Sequence, residues 1–357
     1  MVEMAGLVFV GLGFSGASSL SFEGLELLKS ADKLYLEVYT SPASKDLKSS
    51  LESITGSKVT DASREFIEDG NELIDESKRL KVVLVAYGDP MVATTHMDLR
   101  VRAINEGVHT SVIHNASIFS ALSGETGLHV YRMGKIVTFT RSSPTPHTTV
   151  YNTVFENLER GLHTLVLLEY DCTKDFFFDP SRVVKELLET EAELSLQLFD
   201  QDTFIIVASR IGFRDQEVKG GRIASLHGID FGEPPHTIIV PGKLHFTEVE
   251  AIESLLKINK EEIRDNSARV ERLAEKMVKR YVKKGVKALS RAVSRCNESE
   301  KERYATIFEN VECYMSDSER FLNQGRDELA VLSIGYAEGL LDALRFLSEK
   351  KFDDIWD

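Results

Sequence analysis

The stretch that decides the fold is Val82-Val83-Leu84-Val85-Ala86, followed by Tyr87-Gly88-Asp89-Pro90-Met91-Val92-Ala93-Thr94-Thr95-His96. A short apolar run bounded by turn residues is the pattern of a strand buried on both faces. Beyond the loop, Met97, Leu99, Val101 and Ile104 mix with Arg100, Arg102 and Glu106 in an amphipathic helical pattern. Tyr87 to His96 therefore reads as a loop at the carboxyl end of a central strand, the place where open α/β sheets bind ligands. Gly88 frees the backbone, Pro90 fixes its own φ, and Thr94 or Thr95 is placed to cap the helix. A plain strand-to-helix turn has the same pattern, so other parts of the chain must decide what the loop does.

Upstream, Leu7-Val8-Phe9-Val10 is another buried-strand run, and Gly11-Leu12-Gly13-Phe14-Ser15-Gly16 after it matches Gly-x-Gly-x-x-Gly. An acid, Glu37, even ends the next apolar run, Leu34-Tyr35-Leu36. In a dinucleotide site, however, the helix opens inside the glycine loop so that its amino end meets the pyrophosphate. Here Ala17, Ser18 and Ser19 lengthen the loop, and Ser21 is the natural cap of a helix beginning Phe22-Glu23-Gly24. The glycines alone therefore do not make a nicotinamide or flavin site.

Ser41 to Leu80 is polar, with helix-like pieces, a short strand near Val59 and no readable chemistry. Val108 to Ile113 is the next strand, ending at His114-Asn115-Ala116-Ser117-Ile118, so residues 6–113 repeat strand, loop and helix as a mostly parallel sheet does. Further strands are expected at Gly134–Thr140, Thr164–Leu168, Phe204–Ala208 and Thr237–Val240, with helices at Tyr151–Arg160, Pro180–Glu189 and from Thr247 to about Lys257. This predicts two α/β subdomains, 1–115 and 116–257. From 258 the β signals stop. Ile263, Val270, Leu273, Met277, Tyr281, Val286, Leu289 and Val293 have helical spacing, Cys296 to Ser299 interrupts them, and two more helices follow, to Leu322 and over Asp327–Leu347. An all-α three-helix bundle over 258–357 is the expectation. Its first helix carries Arg272, Lys276, Lys279, Arg280, Lys283, Lys284, Lys287 and Arg291, either a solvated face matching acidic neighbours or a weak RNA or ribosome contact.

The chain of 357 residues is 42% hydrophobic with a formal net charge of −14, a globular composition that argues against a general DNA binder. Cys172, Cys296 and Cys313 are scattered without metal-ligand spacing, which predicts no metal site and fits a reducing cytoplasm. No apolar run approaches the ~20 residues of a membrane span, and Met1 to Val10 reads as a first strand instead of a signal peptide.

Gly88-Asp89-Pro90 followed by Ala93-Thr94-Thr95-His96 resembles the signature of the diphthine synthases, within the tetrapyrrole (precorrin-type) methylase superfamily. Four further stretches carry the resemblance: Gly11-Leu12-Gly13, Glu159-Arg160-Gly161-Leu162-His163-Thr164, Phe231-Gly232 with Pro234-Pro235-His236, and Val240-Pro241-Gly242-Lys243-Leu244-His245. The tail is similar to a small uncharacterised helical domain found in archaea. The resemblance implies the tetrapyrrole-methylase fold, with S-adenosylmethionine in the cleft between the subdomains of a homodimer. It implies methylation of the amino group of a 2-(3-amino-3-carboxypropyl)histidine on translation elongation factor 2, three times in the archaeal reaction. It also implies cofactor contacts at Phe14, Asp89, Val92, Ser117, Ile118, Leu168, Ile211 and His236. Asp89 could instead cap its own turn, and no residue stands out as the general base. Phe14-Ser15-Gly16, where the superfamily often has Pro-Gly-Asp, weakens the alternative of a tetrapyrrole methyltransferase. The remaining alternative is a non-catalytic module that docks on ribosome or factor through the helical tail.

Overall fold

The computed structural model describes residues 5–14, 16–39, 46–270, 272–348 and 351–356; Ser15 of the glycine loop and residues 41–45 at the head of the polar stretch lie outside them. The first sheet is formed by Gly6–Gly11 (β1), Lys33–Glu37 (β2), Val59–Ala62 (β3), Lys81–Ala86 (β4) and Thr110–Ile113 (β5) in the order β3-β2-β4-β1-β5. All its pairs are parallel, which requires helical crossovers. They are Phe22–Lys29 (α1), Leu47–Thr55 (α2), Arg64–Asp69 (α3), Asn71–Ser77 (α4) and His96–Asn105 (α5). Alternation along β1 sends Leu7 and Phe9 into one core layer and Val8 and Val10 into the other. α1 starts where the sequence places it, because Ser21 accepts the Gly24 N–H at 3.0 Å. Thr95 occupies the cap position of α5 without a side-chain cap bond.

After Ile118–Thr126 (α6), the second sheet uses Val137–Phe139 (β6), Thr164–Leu168 (β7), Phe204–Ser209 (β10), Glu217–Arg222 (β11) and His236–Val240 (β12), in the order β11-β10-β12-β7-β6. Tyr170–Asp171 (β8) and Phe176–Phe177 (β9) make a separate hairpin. β6 runs parallel to β7, while β12 is antiparallel to both β7 and β10. The amino end of β12 therefore meets the carboxyl ends of β7 and β10 at one edge. Pro146–Glu159 (α7), Pro180–Leu194 (α8), Ile223–Leu226 (α9) and Phe246–Leu256 (α10) complete this half, and Leu122 of α6 is buried with Ile206, Ile239 and Ile252. β11 escapes sequence reading because Glu-Val-Lys-Gly-Gly-Arg has a single β-former, Val218, beside two glycines and lies antiparallel at the sheet edge.

Two of the motif stretches meet in a buried polar cluster at the amino end of β7. His163 Nδ1 accepts the Gly242 N–H at 2.9 Å, so its Nε2 carries the proton and donates to Glu248 Oε1 at 2.9 Å. Glu248 also accepts the backbone N–H groups of His129 at 2.8 Å and His245 at 2.7 Å, and both side chains are fully buried. Burial pushes His163 down, with Glu248 offsetting only part of the shift. Burial alone would raise Glu248, but the two backbone N–H groups and His163 hold it below the usual carboxylate range.

The chain forms two units, Met1–Val270 and Glu271–Asp357. Residues 258–270, expected to open the helical region, instead complete the first unit. Asn266 explains this, since its Nδ2 donates to Phe204 O and Pro241 O, both at 2.8 Å, and its Oδ1 accepts the Phe204 N–H at 3.0 Å. Ile263 and Val270 join the core there. The second unit contains Leu273–Arg295 (α11), Glu298–Asn323 (α12) and Asp327–Leu347 (α13), packed through Val278, Leu289, Val311, Ile334 and Leu341. Asn297 caps α12 by accepting the Glu300 N–H at 2.9 Å. Of the basic residues on α11 and at its start, Arg272 pairs with Asp327 at 2.7 Å and Lys279 with Glu275 at 2.7 Å, whereas exposed Lys283 and Lys287 make no ion pair among the described residues. No helix is long and apolar enough to cross a membrane among the described residues.

Glu248→Ala leaves three donors, the buried His163 Nε2–H among them, without their acceptor and is expected to lower the unfolding free energy by about 3–5 kcal/mol in urea titrations. The pH dependence follows from the lowered affinity of both groups for protons in the folded state. The His163 contribution is complete above pH ~6.5 and is lost as pH falls through its lower folded value; that of Glu248 is lost in the same sense below ~4.3. His163→Gln should flatten the first of these stages in urea midpoints measured against pH. A chain cut after Val270 should unfold cooperatively like the intact first unit, while a cut after Lys257 should lose stability because Asn266 is gone.

Candidate functional site

Three loops at the carboxyl ends of β1, β4 and β5 are fastened to one another. Gly13 and Gly88 exchange backbone hydrogen bonds of 3.1 and 2.9 Å. The approach is close enough that a Cβ on Gly11 would lie 2.6 Å from Gly88 O. Asn115 Nδ2 donates to the carbonyls of Gly11 and Ser19, both at 2.9 Å, and its backbone N–H reaches Asp89 Oδ2 at 3.3 Å. Asp89 Oδ2 also accepts His114 Nδ1–H at 2.7 Å, while Oδ1 accepts the Met91 N–H at 2.9 Å. Three of the roughly four acceptor positions of this carboxylate are thus engaged within the protein. His96, fully buried, donates Nδ1–H to Pro90 O at 2.8 Å. The glycine pattern is not a dinucleotide site: its loop is tied to the neighbouring loop, and Glu37, only 2% exposed, lies 3.8 Å from His96 Nε2, where no ribose can reach it.

These loops and the facing edge of the second sheet enclose a cavity of about 330 Å³, a volume typical of small-molecule sites. Phe14, Asp89, Val92, Ser117 and Ile118 line it from the first sheet's loops, and Leu168, Ile211 and His236 from the second half. All eight residues singled out in the sequence share this one wall. The amino end of α6, with Ser117 as cap, supplies N–H groups there, while Val92, Leu168 and Ile211 supply apolar surface. Gly212 is required at φ +85°, because a Cβ on it would lie 2.1 Å from Phe14 Cβ.

His236 donates Nε2–H to Gly232 O at 3.0 Å, which leaves Nδ1 as an acceptor; Nδ1 is buried and without a hydrogen-bond partner. Burial holds the ring's proton affinity down and keeps it neutral. This unspent acceptor fits a ligand that brings an N–H donor, such as an adenine amino group. Glu169, just past Leu168, accepts Thr140 Oγ1–H at 2.7 Å, the Arg141 N–H at 2.6 Å and the Arg141 side chain at 2.8 and 3.1 Å. Burial would raise this carboxyl, but Arg141 and Thr140 hold it below the usual range. Among the described residues no group of His, Cys, Asp and Glu is arranged to hold a metal.

Sequence reasoning missed Arg64, Asn115, Thr140 and Glu169. Arg64 lies in the polar stretch expected to carry no chemistry, yet it reaches the cavity wall from α3. An acid directly after a buried strand was the available signal for Glu169. Asn115 had none, since its role is to join carbonyls distant in sequence.

The family described as Tetrapyrrole (Corrin/Porphyrin) Methylases matches residues 6–227, and Protein of unknown function (DUF357) matches 280–348. A diphthine synthase of Methanosphaera stadtmanae is 38% identical, aligned over 72% of this chain and 99% of the relative. That of Methanocaldococcus jannaschii is 38% identical over 70% of this chain and 98% of its own length. A crystal structure of diphthine synthase superposes with a TM-score of 0.62 at 34% identity, covering 74% of this chain and 99% of that one. The tetrapyrrole-methylase match holds the first sheet, the second sheet as far as β11 and the cavity wall as far as Phe213, and the full-length relatives favour diphthine synthesis over the tetrapyrrole alternative. The chain belongs to the diphthine synthase family within the tetrapyrrole methylases, and is an S-adenosylmethionine-dependent methyltransferase of diphthamide biosynthesis.

Proposed function

We propose that the cavity holds S-adenosylmethionine and that the methyl acceptor is the amino group of a 2-(3-amino-3-carboxypropyl)histidine on translation elongation factor 2. The observation that carries this is the convergence of eight residues, widely spaced along the chain, on one cavity at the strands' carboxyl ends. Bound there, S-adenosylmethionine supplies a methyl group on a sulfonium, a good leaving group for attack by a neutral amine. His236 Nδ1 and the N–H groups opening α6 would take polar parts of the ligand. Asp89 contributes mainly by holding the loop, with at most one acceptor position to spare. Phe14, Val92, Leu168 and Ile211 would keep water out, which an in-line displacement needs as much as alignment. None of these groups is set up as a strong base; Glu169 in particular is held as an anion by Arg141, and the acceptor's proton would leave to solvent.

The reading extends to a homodimer and to residues 271–357 as a docking element for the factor or a weak RNA or ribosome contact through the basic helix.

Calorimetry should find S-adenosylhomocysteine bound by the wild type. Asp89→Ala, which frees His114 and the Met91 N–H, should weaken binding about 10–100-fold, the worth of lost hydrogen bonds to a charged group. Gly212→Ala should weaken it about tenfold or more by driving Phe14 into the cavity, an overpacking cost of about 1–3 kcal/mol. A folded wild type that binds no S-adenosylhomocysteine would sink the reading, and a methylation assay on the modified factor tests the acceptor. Removing 271–357 should leave S-adenosylhomocysteine affinity intact while raising KM for the factor or dissociating the dimer. If neither changes, the tail has neither role.

A further inference from the structure

A second, polar cavity of about 240 Å³ adjoins the first and shares Arg64, Glu169 and Tyr170 with it. Its remaining charged residues are Arg141, Asp171 and Lys174, so three cations face two carboxylates. The carboxylates are largely spent. Glu169 already accepts four hydrogen bonds, and Asp171 accepts Thr173 Oγ1–H at 2.6 Å and Arg141 Nη2–H at 3.4 Å. The cations are only partly engaged. Arg141 Nη1 makes no hydrogen bond among the described residues, and its guanidinium is held flat over the Phe176 ring at 3.6 Å. Among the described residues Arg64 comes no nearer an acid than 4.0 Å, from Nε to Glu68, and the Lys174 ammonium is 3.6 Å from Asp171. Unused N–H donors and a surplus positive charge are the chemistry of a carboxylate site.

We propose that this annex is the acceptor subsite, in which Arg64, Arg141 and Lys174 bind the carboxylate of the aminocarboxypropyl arm and so set its amino group at the wall shared with the main cavity. The inference rests on the acceptor reading given above. Carboxylate and amine sit on the same carbon, so anchoring one in the annex fixes the other at its boundary. The neighbouring Glu169 has no lone pair left to hold the amine as an ammonium. The surplus positive charge also disfavours protonation of the amine, and the neutral amine is the form that attacks. The annex thus selects an amino group that carries a carboxylate beside it and readies that group for transfer.

The test compares two inhibitors of methylation of the modified elongation factor: free 2-(3-amino-3-carboxypropyl)histidine and its analogue lacking the arm's carboxylate. The wild type should prefer the carboxylate compound about tenfold or more, as expected for charge-assisted hydrogen bonds. Arg64 and Lys174 are exposed enough to truncate without a folding penalty, with half or more of each side chain in solvent. In the double variant Arg64→Ala with Lys174→Ala the preference should fall to about threefold or less and KM for the factor should rise about tenfold, while Lys174→Ala alone, outside the main cavity wall, should leave S-adenosylhomocysteine affinity within about threefold. Arg64→Lys alone should keep most of the preference. A wild type indifferent to the carboxylate, or a double variant that retains the full preference, overturns the annex while leaving the cofactor reading standing. Failure of the wild type to bind S-adenosylhomocysteine or to methylate the factor removes the underlying reading, and the annex proposal with it.

Discussion

The fastening of the loops after β1, β4 and β5 is the constraint on which the rest of the site depends. Apart from a 3-10 turn at Gly16–Ser19 these loops are irregular, and each would be mobile on its own. The reciprocal Gly13–Gly88 bonds join the first two, and Asn115 joins the third to Gly11 and Ser19. Asp89 then draws in His114, Asn115 and Met91. The glycines serve backbone approach, since a Cβ at Gly11 would collide with Gly88 O. Satisfied buried polar networks of this kind rigidify what they connect. A cavity wall built from loops is thereby given the precision of a wall built from strands.

The distinctive motifs of the chain divide between this end of the sheets and the other. Gly-Asp-Pro and the proline pair before His236 stand at the cavity. The His163 stretch and the Gly242 stretch meet at the amino end of β7, where they build a buried ion pair with Glu248. A residue pattern specific enough to mark a family can therefore be a folding device. The strand β7 connects the two, with His163 before its first residue and Leu168 as its last. Fixing one end of a buried strand also fixes the register that presents Leu168 and Glu169 at the other.

Much of this was legible in the sequence, for identifiable reasons. β1 and β4 are unbroken apolar runs, and α1 has its capping serine, so periodicity and end signals suffice. The eight expected cavity residues are what the family resemblance implies, and they lie at or just beyond the ends of strands. What stayed hidden depends on long-range geometry. β11 is an edge strand with two glycines, and residues 258–270 read as helix because Ile263 and Val270 have helical spacing, although a single asparagine ties them to Phe204 and Pro241. Arg64 and Arg141 lie in unremarkable polar stretches separated by more than a quarter of the first unit. Only the fold brings their free donors to one space.

The charge balance shows why local and global electrostatics must be kept apart in this protein. The chain as a whole carries a formal charge of −14, yet the annex beside the cavity holds more cations than carboxylates. Exposed acids farther than about 8–10 Å are screened at physiological salt, whereas charges within a few ångströms of a ligand in the same wall are screened far less. A carboxylate entering the annex is therefore governed by Arg64, Arg141 and Lys174 and not by the acidic surface. The two carboxylates offset part of this, Glu169 pairing with Arg141 and Asp171 lying 3.4 Å from Arg141 and 3.6 Å from Lys174, and the cations remain in excess. Glu169 holds the guanidinium of Arg141 through Nε and Nη2, which leaves Nη1 without a hydrogen bond among the described residues.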